Sequence, residues 1–310
     1  MGFVRVERIL LGCVALILIF DLLLIWKSSQ SIDWKGYAIL AVVALVVLGL
    51  GCLYRSKNRS EAIASTLIAT GIYVIFTMVC SVFNYLLLPV GDRRIDWLLV
   101  KVDAALGFDW LLFLEQVASV PFIGVFLGYV YLSTLPQFAI LIIILGLTGR
   151  TQILHKFLVC GAVCSLISIL FWYTFPSSGP STIFNVPEEI RAKLDLVVDK
   201  KYGDLLNLQV LHGVETISPS EILGLIAFPS MHIVMAFMSA WYSYSLRLLF
   251  PLFLLFNFLM IPATIIHGGH HVVDLFGGAA VFAVGVLIAR LIVDNRLGTR
   301  KSRVDTAVTV

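Results

Sequence analysis

Charge is scarce in this chain. Only 13% of its 310 residues are Asp, Glu, Lys or Arg, 60% are hydrophobic, and mean hydropathy is +0.99. A soluble domain is about one quarter charged, so there is too little polar surface here for a water-facing globule. The net charge of +3 is small. Its Lys and Arg residues sit between apolar runs, which fits membrane orientation and offers no basic face for nucleic acid. Cysteine gives no framework either. Cys13, Cys52, Cys80, Cys160 and Cys164 all fall inside apolar runs, with no CxxC pair. Cys160 and Cys164 share a helix face and read as small packing residues. No low-complexity tract or internal repeat interrupts the chain, which reads as a single membrane domain over residues 1–310. No small-residue cleavage pattern follows the apolar stretch Ile9–Trp26, so it is expected to remain as a first span. Asp21 within it is costly in lipid and should face the bundle.

Apolar runs dominate what is present. About eight are long enough for a hydrocarbon core of about 30 Å: residues 9–26, 36–54, 62–90, 120–146, 157–175, 227–246, 248–266 and 270–292. The fold class expected is an all-α polytopic membrane protein. Residues 1–61 supply two N-terminal spans, 62–293 a six-span catalytic core, and 294–310 a cytoplasmic tail. The short segments that begin with Arg5 and Arg8, and continue through Arg55, Lys57, Arg59, Arg150, Lys156 and Arg247, obey the positive-inside rule if both termini are cytoplasmic. Arg290, Arg296, Arg300, Lys301 and Arg303 complete that side. Two opposite segments are too polar to span. Gly91–Trp110 reads as an interfacial helix with its apolar face on the membrane. The segment 177–226 contains Pro187-Glu188-Glu189, a helix start, and Ser218-Pro219-Ser220-Glu221, a capping box before a short helix. A loop of this length with its own helices is usually a lid or a substrate-binding element.

Three polar clusters break the apolar text at one predicted depth. They are Phe175-Pro176-Ser177-Ser178-Gly179-Pro180, Phe228-Pro229-Ser230-Met231-His232, and His267-Gly268-Gly269-His270-His271-Val272-Val273-Asp274. His270 and Asp274 are four apart, on one helix face. A carboxylate there orients an imidazole for attack on an electrophile. His232, on another span, suits a general acid. Ser230 and the free N–H groups at the start of its span suit a phosphoryl anion. Gly268 and Gly269 allow close backbone approach, and Gly277 and Gly278 close helix packing.

Pro-Ser-x-His at 229–232, followed by His270-x-x-x-Asp274, resembles the type-2 phosphatidic acid phosphatase superfamily. The resemblance covers the last four spans well and includes Leu275-Phe276-Gly277-Gly278. It implies a core bundle of that fold, His270 as nucleophile, Asp274 as its partner, His232 as acid and Ser230 as a phosphate ligand. It implies no metal and no cofactor. Pro229, Ser177, Ser178, Gly269 and His271 are the further residues expected at the substrate. Two departures stand out. The superfamily's basic first motif is replaced by the Pro/Ser/Gly cluster at 176–180, and Thr264 stands where an Arg six residues before the nucleophile is usual. That pattern is similar to the inositol phosphorylceramide synthase branch. The cations left for phosphate are Arg191, Lys193, Lys200 and Lys201.

The expectation is a headgroup phosphotransferase. It works through a phosphohistidine on a membrane phospholipid or lipid phosphate, with an alcohol or sphingolipid acceptor. Its place is a bacterial cytoplasmic membrane, with the site facing the periplasm. A lipid phosphate phosphatase is the alternative within the same chemistry. A metal site built from His267, His270, His271 and Asp274 is the rival of another class, as is a transporter. The transporter leaves unexplained why the polar residues gather at one face instead of mid-bilayer. Gly124-x-x-x-Gly128 reads as helix packing, and His155 and His212 as loop residues.

Overall fold

A computed structural model describes residues 2–91 and 93–294 of the chain. The expected tail therefore lies outside the described residues apart from Asp294. Helix follows helix because uninterrupted apolar runs leave the backbone only itself as a hydrogen-bond partner in lipid. The first three are α1 (Arg5–Lys27), α2 (Trp34–Ser56) and α3 (Glu61–Leu86). Their starts are set by side-chain oxygens on otherwise unpaired N–H groups. Glu7 reaches back to the Val4 amide at 2.9 Å, Asp33 accepts from Gly36 at 2.9 Å, and Ser60 from Ile63 at 3.3 Å. Asp21 is buried, as expected of an acid in a span.

Next come α4 (Asp96–Ala105), α5 (Trp110–Ala118), α6 (Pro121–Leu132), α7 (Thr134–Leu147) and α8 (Thr151–Thr174). The expected fourth span is thus two helices. The break at Ser133 has a local cause: Pro136 has no N–H to give the Leu132 carbonyl one turn back. α5 and α6 meet at a bend of 114°. After α8 the large loop carries α9 (Glu188–Leu194) and α10 (Lys200–His212), and the chain closes with α11 (Met231–Ser243), α12 (Phe250–His267) and α13 (Val272–Val293). Among the described residues six helices are long and apolar enough to cross a membrane: α1, α2, α3, α8, α12 and α13. α11 is the other departure from the expected spans. At 13 residues it rises about 20 Å, and the turn at 227–230 precedes it.

Because lipid tails are as apolar as leucine, close packing holds such a bundle together. α8 meets α13 where Cys160 and Cys164 face Gly285. A Cβ on Gly285 would lie 2.3 Å from the Cys164 sulfur, so both cysteines are packing residues. At the end of the bundle where α1, α3 and α8 begin and α2 finishes, Arg55 joins Glu7 at 2.6 Å and Glu61 at 2.7 Å. His155, read from sequence as a loop residue, lies in α8 with its Nε2 3.7 Å from Glu7. This network ties α1, α2, α3 and α8.

At the other end a two-residue parallel ladder pairs β1 (Ser31–Ile32) with β2 (Thr216–Ile217), in register Ser31 to Thr216. α9 starts where Pro187-Glu188-Glu189 predicts. The helix expected after Ser218 does not form. The Ser218 hydroxyl donates instead to Asp33 at 2.9 Å, and the Ser218 carbonyl accepts from Glu221 in a turn. The serine that should cap a new helix is spent holding the ladder against the start of α2.

Candidate active site

The three polar clusters meet at the end of the bundle where α8 and α12 finish and α11 and α13 begin. Ser177 joins the first to the second. Its hydroxyl oxygen accepts from the Phe228 amide at 2.8 Å, and its carbonyl accepts from the Trp172 indole at 2.9 Å. Ser230 joins the second to the third through its amide, which donates to the Asp274 carbonyl at 3.1 Å. Gly179 and Gly269 join the first to the third. Both have positive φ, +86° and +57°, and a Cβ on Gly179 would lie 2.2 Å from the Gly269 carbonyl oxygen. A side chain at either place is excluded by conformation and by space together. Gly277 and Gly278 let α13 approach Phe228, Pro229 and Ser230 at similar range.

Within this junction His270 Nδ1 lies 3.1 Å from Asp274 Oδ2, which also accepts from the His271 amide at 2.9 Å. Both side chains are buried, Asp274 completely. His232, in the first turn of α11, presents its ring edge-on to His270 with centroids 6.1 Å apart. Its own face stacks on Tyr131 of α6 at 4.2 Å. Ser230 is the N-cap of α11 and fully buried.

Sequence reasoning missed a second carboxylate layer, supplied by α4. Asp103 accepts from the Val272 and Val273 amides, each at 3.0 Å, and lies 3.2 Å from His271 Nδ1. It caps the N-terminus of α13 across 169 residues of sequence, where a negative charge also suits the helix dipole. Asp96 Oδ1 accepts from the Ser178 and Gly179 amides, both at 2.8 Å. Burial pushes the Asp96 carboxyl above its usual range, against those two N–H groups. The segment expected to lie on the membrane therefore has two faces. Trp97 and Leu98 are exposed, while Asp96, Leu99 and Asp103 are buried at helical spacing. The pattern that marked an apolar face outward also marked an acidic face inward.

His267 is a brace. Its Nε2 lies 2.8 Å from the Gly124 carbonyl and its Nδ1 accepts from the Val197 amide at 3.4 Å. Both ring nitrogens are thus committed to backbone groups. Gly124 and Gly128 make room for Leu194 at the end of α9 and for this ring at the end of α12, so the motif packs α6 against two other helices, as its spacing suggested. Among the described residues no group of three or more His, Cys, Asp or Glu is arranged to hold a metal ion.

The loop cations are not gathered at the histidines. Arg191 pairs with Glu188, Lys193 with Glu189 at 2.7 Å, and Lys200 with Asp204 at 3.1 Å. Arg191 and Lys200 line a cavity of about 250 Å³ together with Ser181 and Asn207. Ser181 in turn packs against Gly269. Arg94, half-buried beside Asp96, donates to Asn207 at 2.7 Å, and its Nε has no partner. It is the cation that sequence reasoning passed over.

An all-α membrane bundle with a buried His–Asp pair facing a second histidine is the class that fold and site define. The family model described as the PAP2 superfamily matches residues 97–288, and the chain belongs to that superfamily. The match runs from α4 into α13, so it includes Asp103 as well as His232, His270 and Asp274, and it leaves α1–α3 outside. Membership supports a membrane enzyme of the phosphatase or phosphotransferase kind, with a lipid phosphate as substrate. Among curated proteins and among solved structures, nothing matches.

Proposed function

We propose that the chain is a headgroup phosphotransferase acting on phospholipids at the extracytoplasmic face through a phosphohistidine. The observation that carries this reading is the charge of the site. Asp96 and Asp103 lie within electrostatic range of Asp274, and Arg94 acts on Asp96. A phosphomonoester carries nearly two negative charges at neutral pH, whereas a diester carries one. Three buried carboxylates tolerate the diester better.

In the proposed reaction Asp274 holds the proton on His270 Nδ1, and Nε2 attacks phosphorus. The bond from phosphorus to the glyceride oxygen breaks as His232 protonates that oxygen, and diacylglycerol leaves. His232, now neutral, takes the proton of an acceptor hydroxyl, whose oxygen attacks phosphorus and releases His270. Ser230, Ser178 and Gly269 would surround the phosphoryl oxygens, and His271, held by Asp103, would border them with Pro229. Burial of the site supports transfer because it keeps water from competing with the acceptor.

The test is incubation of the purified protein with headgroup-labelled phospholipid, with and without a long-chain alcohol or sphingolipid, followed by rapid quench. Label should appear on His270, acid-labile and base-stable, and move to the acceptor. His270→Ala should lose both. His232→Ala should regain turnover on a nitrophenyl phosphodiester, since a good leaving group needs no acid. Release of headgroup phosphate at the same rate with and without acceptor would replace transfer by hydrolysis. Rescue of His270→Ala instead would reverse the two roles.

A further inference from the structure

The bundle has a second feature, at the end away from the histidines. Where α8 and α12 begin and α11 and α13 finish, a lateral groove of about 630 Å³ opens between them. That is within the size range of pockets that bury a small organic ligand. Its walls are apolar: Phe237, Phe250, Leu254 and Phe282. Phe282 packs edge-on against both Phe237 and Trp241. Its mouth differs in chemistry. Trp241 and Tyr244 stand there, 45% and 61% exposed, as amphipathic rings do at a membrane interface. Lys156 and Arg290 complete the rim. Arg290 lies over the Trp241 ring at 5.4 Å, exposed and without an acidic partner among the described residues. Lys156 is joined to Asp294 at 2.7 Å. Tyr242, which also lines the groove, is buried with a hydroxyl that meets no oxygen or nitrogen partner.

We infer that this groove is a binding site for an anionic phospholipid of the leaflet opposite the histidine site. An acyl chain would lie against the four apolar side chains, and the headgroup phosphate would meet Arg290 and Lys156. The charge argues for a lipid that carries net negative charge. A zwitterionic headgroup would bring its own cation to a rim that already has two, and Asp294 answers only one of them. The groove is separate from the reaction. The rim that would hold the headgroup, with Tyr244 and Arg290, lies at the far ends of the helices that carry His232 and Asp274, so a phosphate seated there cannot reach His270.

The test is quenching of Trp241 fluorescence in bilayers of phosphatidylcholine. Small amounts of a brominated-chain lipid are added, either phosphatidylglycerol or phosphatidylcholine. The difference between the full chain and Trp241→Phe isolates the Trp241 signal. Brominated phosphatidylglycerol should associate at least fivefold more strongly than brominated phosphatidylcholine. Arg290→Gln should reduce that ratio about fivefold, in line with the usual contribution of one cation near a membrane surface. Ala240→Trp, which fills the groove, would add a fluorophore, so Ala240→Leu serves to weaken quenching by both lipids. Arg59→Gln, an exposed cation at the same end, should leave the ratio unchanged. Equal quenching by the two lipids would overturn the inference, as would a preference that survives Arg290→Gln together with Lys156→Gln. Quenching that ignores headgroup but falls as protein concentration in the bilayer rises would assign the groove to a second copy of the chain.

Discussion

Asp103 offers the sharpest test of how the site is held. Its carboxylate answers three donors, the amides of Val272 and Val273 and the Nδ1 of His271, and it is buried. Asp103→Asn leaves one acceptor oxygen for those donors and places an NH₂ against at least one of them. A hydrogen bond to a charged group is worth about 1.5–3 kcal/mol, and a charge at a helix N-terminus about 0.3–1 kcal/mol more. Asn should therefore cost about 2–4 kcal/mol of stability. Ala, which removes one partner of a buried pair outright, should cost about 3–5 kcal/mol. Both fit within the 5–15 kcal/mol typical of folded proteins, so most molecules should remain folded. The consequence for rate is larger. The first turn of α13 carries Asp274, and the His271 amide is part of that carboxylate's shell. A displacement of about 1 Å at reacting groups costs about a hundredfold in turnover. The measurements are equilibrium unfolding in mixed micelles by titration with a denaturing detergent, and initial rates per folded molecule at saturating phospholipid. The expected outcome is kcat lowered about a hundredfold with KM changed less than about threefold. Turnover of Asp103→Asn at the level of the unaltered chain would refute the argument that this cap positions the site. Unfolding unchanged within about 0.5 kcal/mol would refute the ledger of hydrogen bonds.

Three further outcomes are expected. Gly179→Ala, at φ +86° with the Gly269 carbonyl 2.2 Å from the new Cβ, should lose more than the roughly 1–3 kcal/mol of backbone strain alone. It should also abolish turnover, and a normal unfolding midpoint would contradict the close approach. Arg55→Gln takes the guanidinium from the buried Glu7, leaving it only the Val4 amide and His155, and should cost about 3–5 kcal/mol. Turnover of the folded fraction should stay within about twofold, because the network lies at the end of the bundle away from the histidines. In a cysteine-free background, Lys201→Cys should react with an impermeant thiol reagent in intact cells and Lys57→Cys should not, both positions being exposed. The reverse pattern would invert the orientation of the site.

What was legible in the sequence is what is local. A run of apolar residues names a span without reference to the rest of the chain, and six of the expected spans are single long helices. The His270–Asp274 pair was legible from its short spacing, though not as two positions on one helix: α13 begins at Val272, and Asp274 in its first turn reaches back to His270 and to the His271 amide. The division of 120–146 was local too, written in Pro136 and overlooked because hydropathy does not register a missing N–H. The self-pairing of the loop cations was also in plain view. Glu188 precedes Arg191 by three residues, Glu189 precedes Lys193 by four, and Asp204 follows Lys200 by four. A cation already answered by an acid one helical turn away is a poor candidate for an incoming phosphate.

Asp96 and Asp103 were not legible as site residues, because their partners lie 82 to 170 residues away. The pattern available was that of a short amphipathic helix, and a membrane surface satisfies its apolar side equally well. Only the fold decides where the acidic side points. That placement changes what the site demands of its ligand. With Arg191, Lys193 and Lys200 each paired to an acid of its own helix, and with Asp96, Asp103 and Asp274 grouped behind the histidines, little positive charge is left to meet a phosphate. Arg94, the exposed Lys201 and the N–H groups at the start of α11 are what remain. A site so poor in cations cannot hold a dianion cheaply. For the proposed transferase, the ligand's own charge, and not the histidine pair that it would share with a monoesterase, is then what would separate a diester from a monoester.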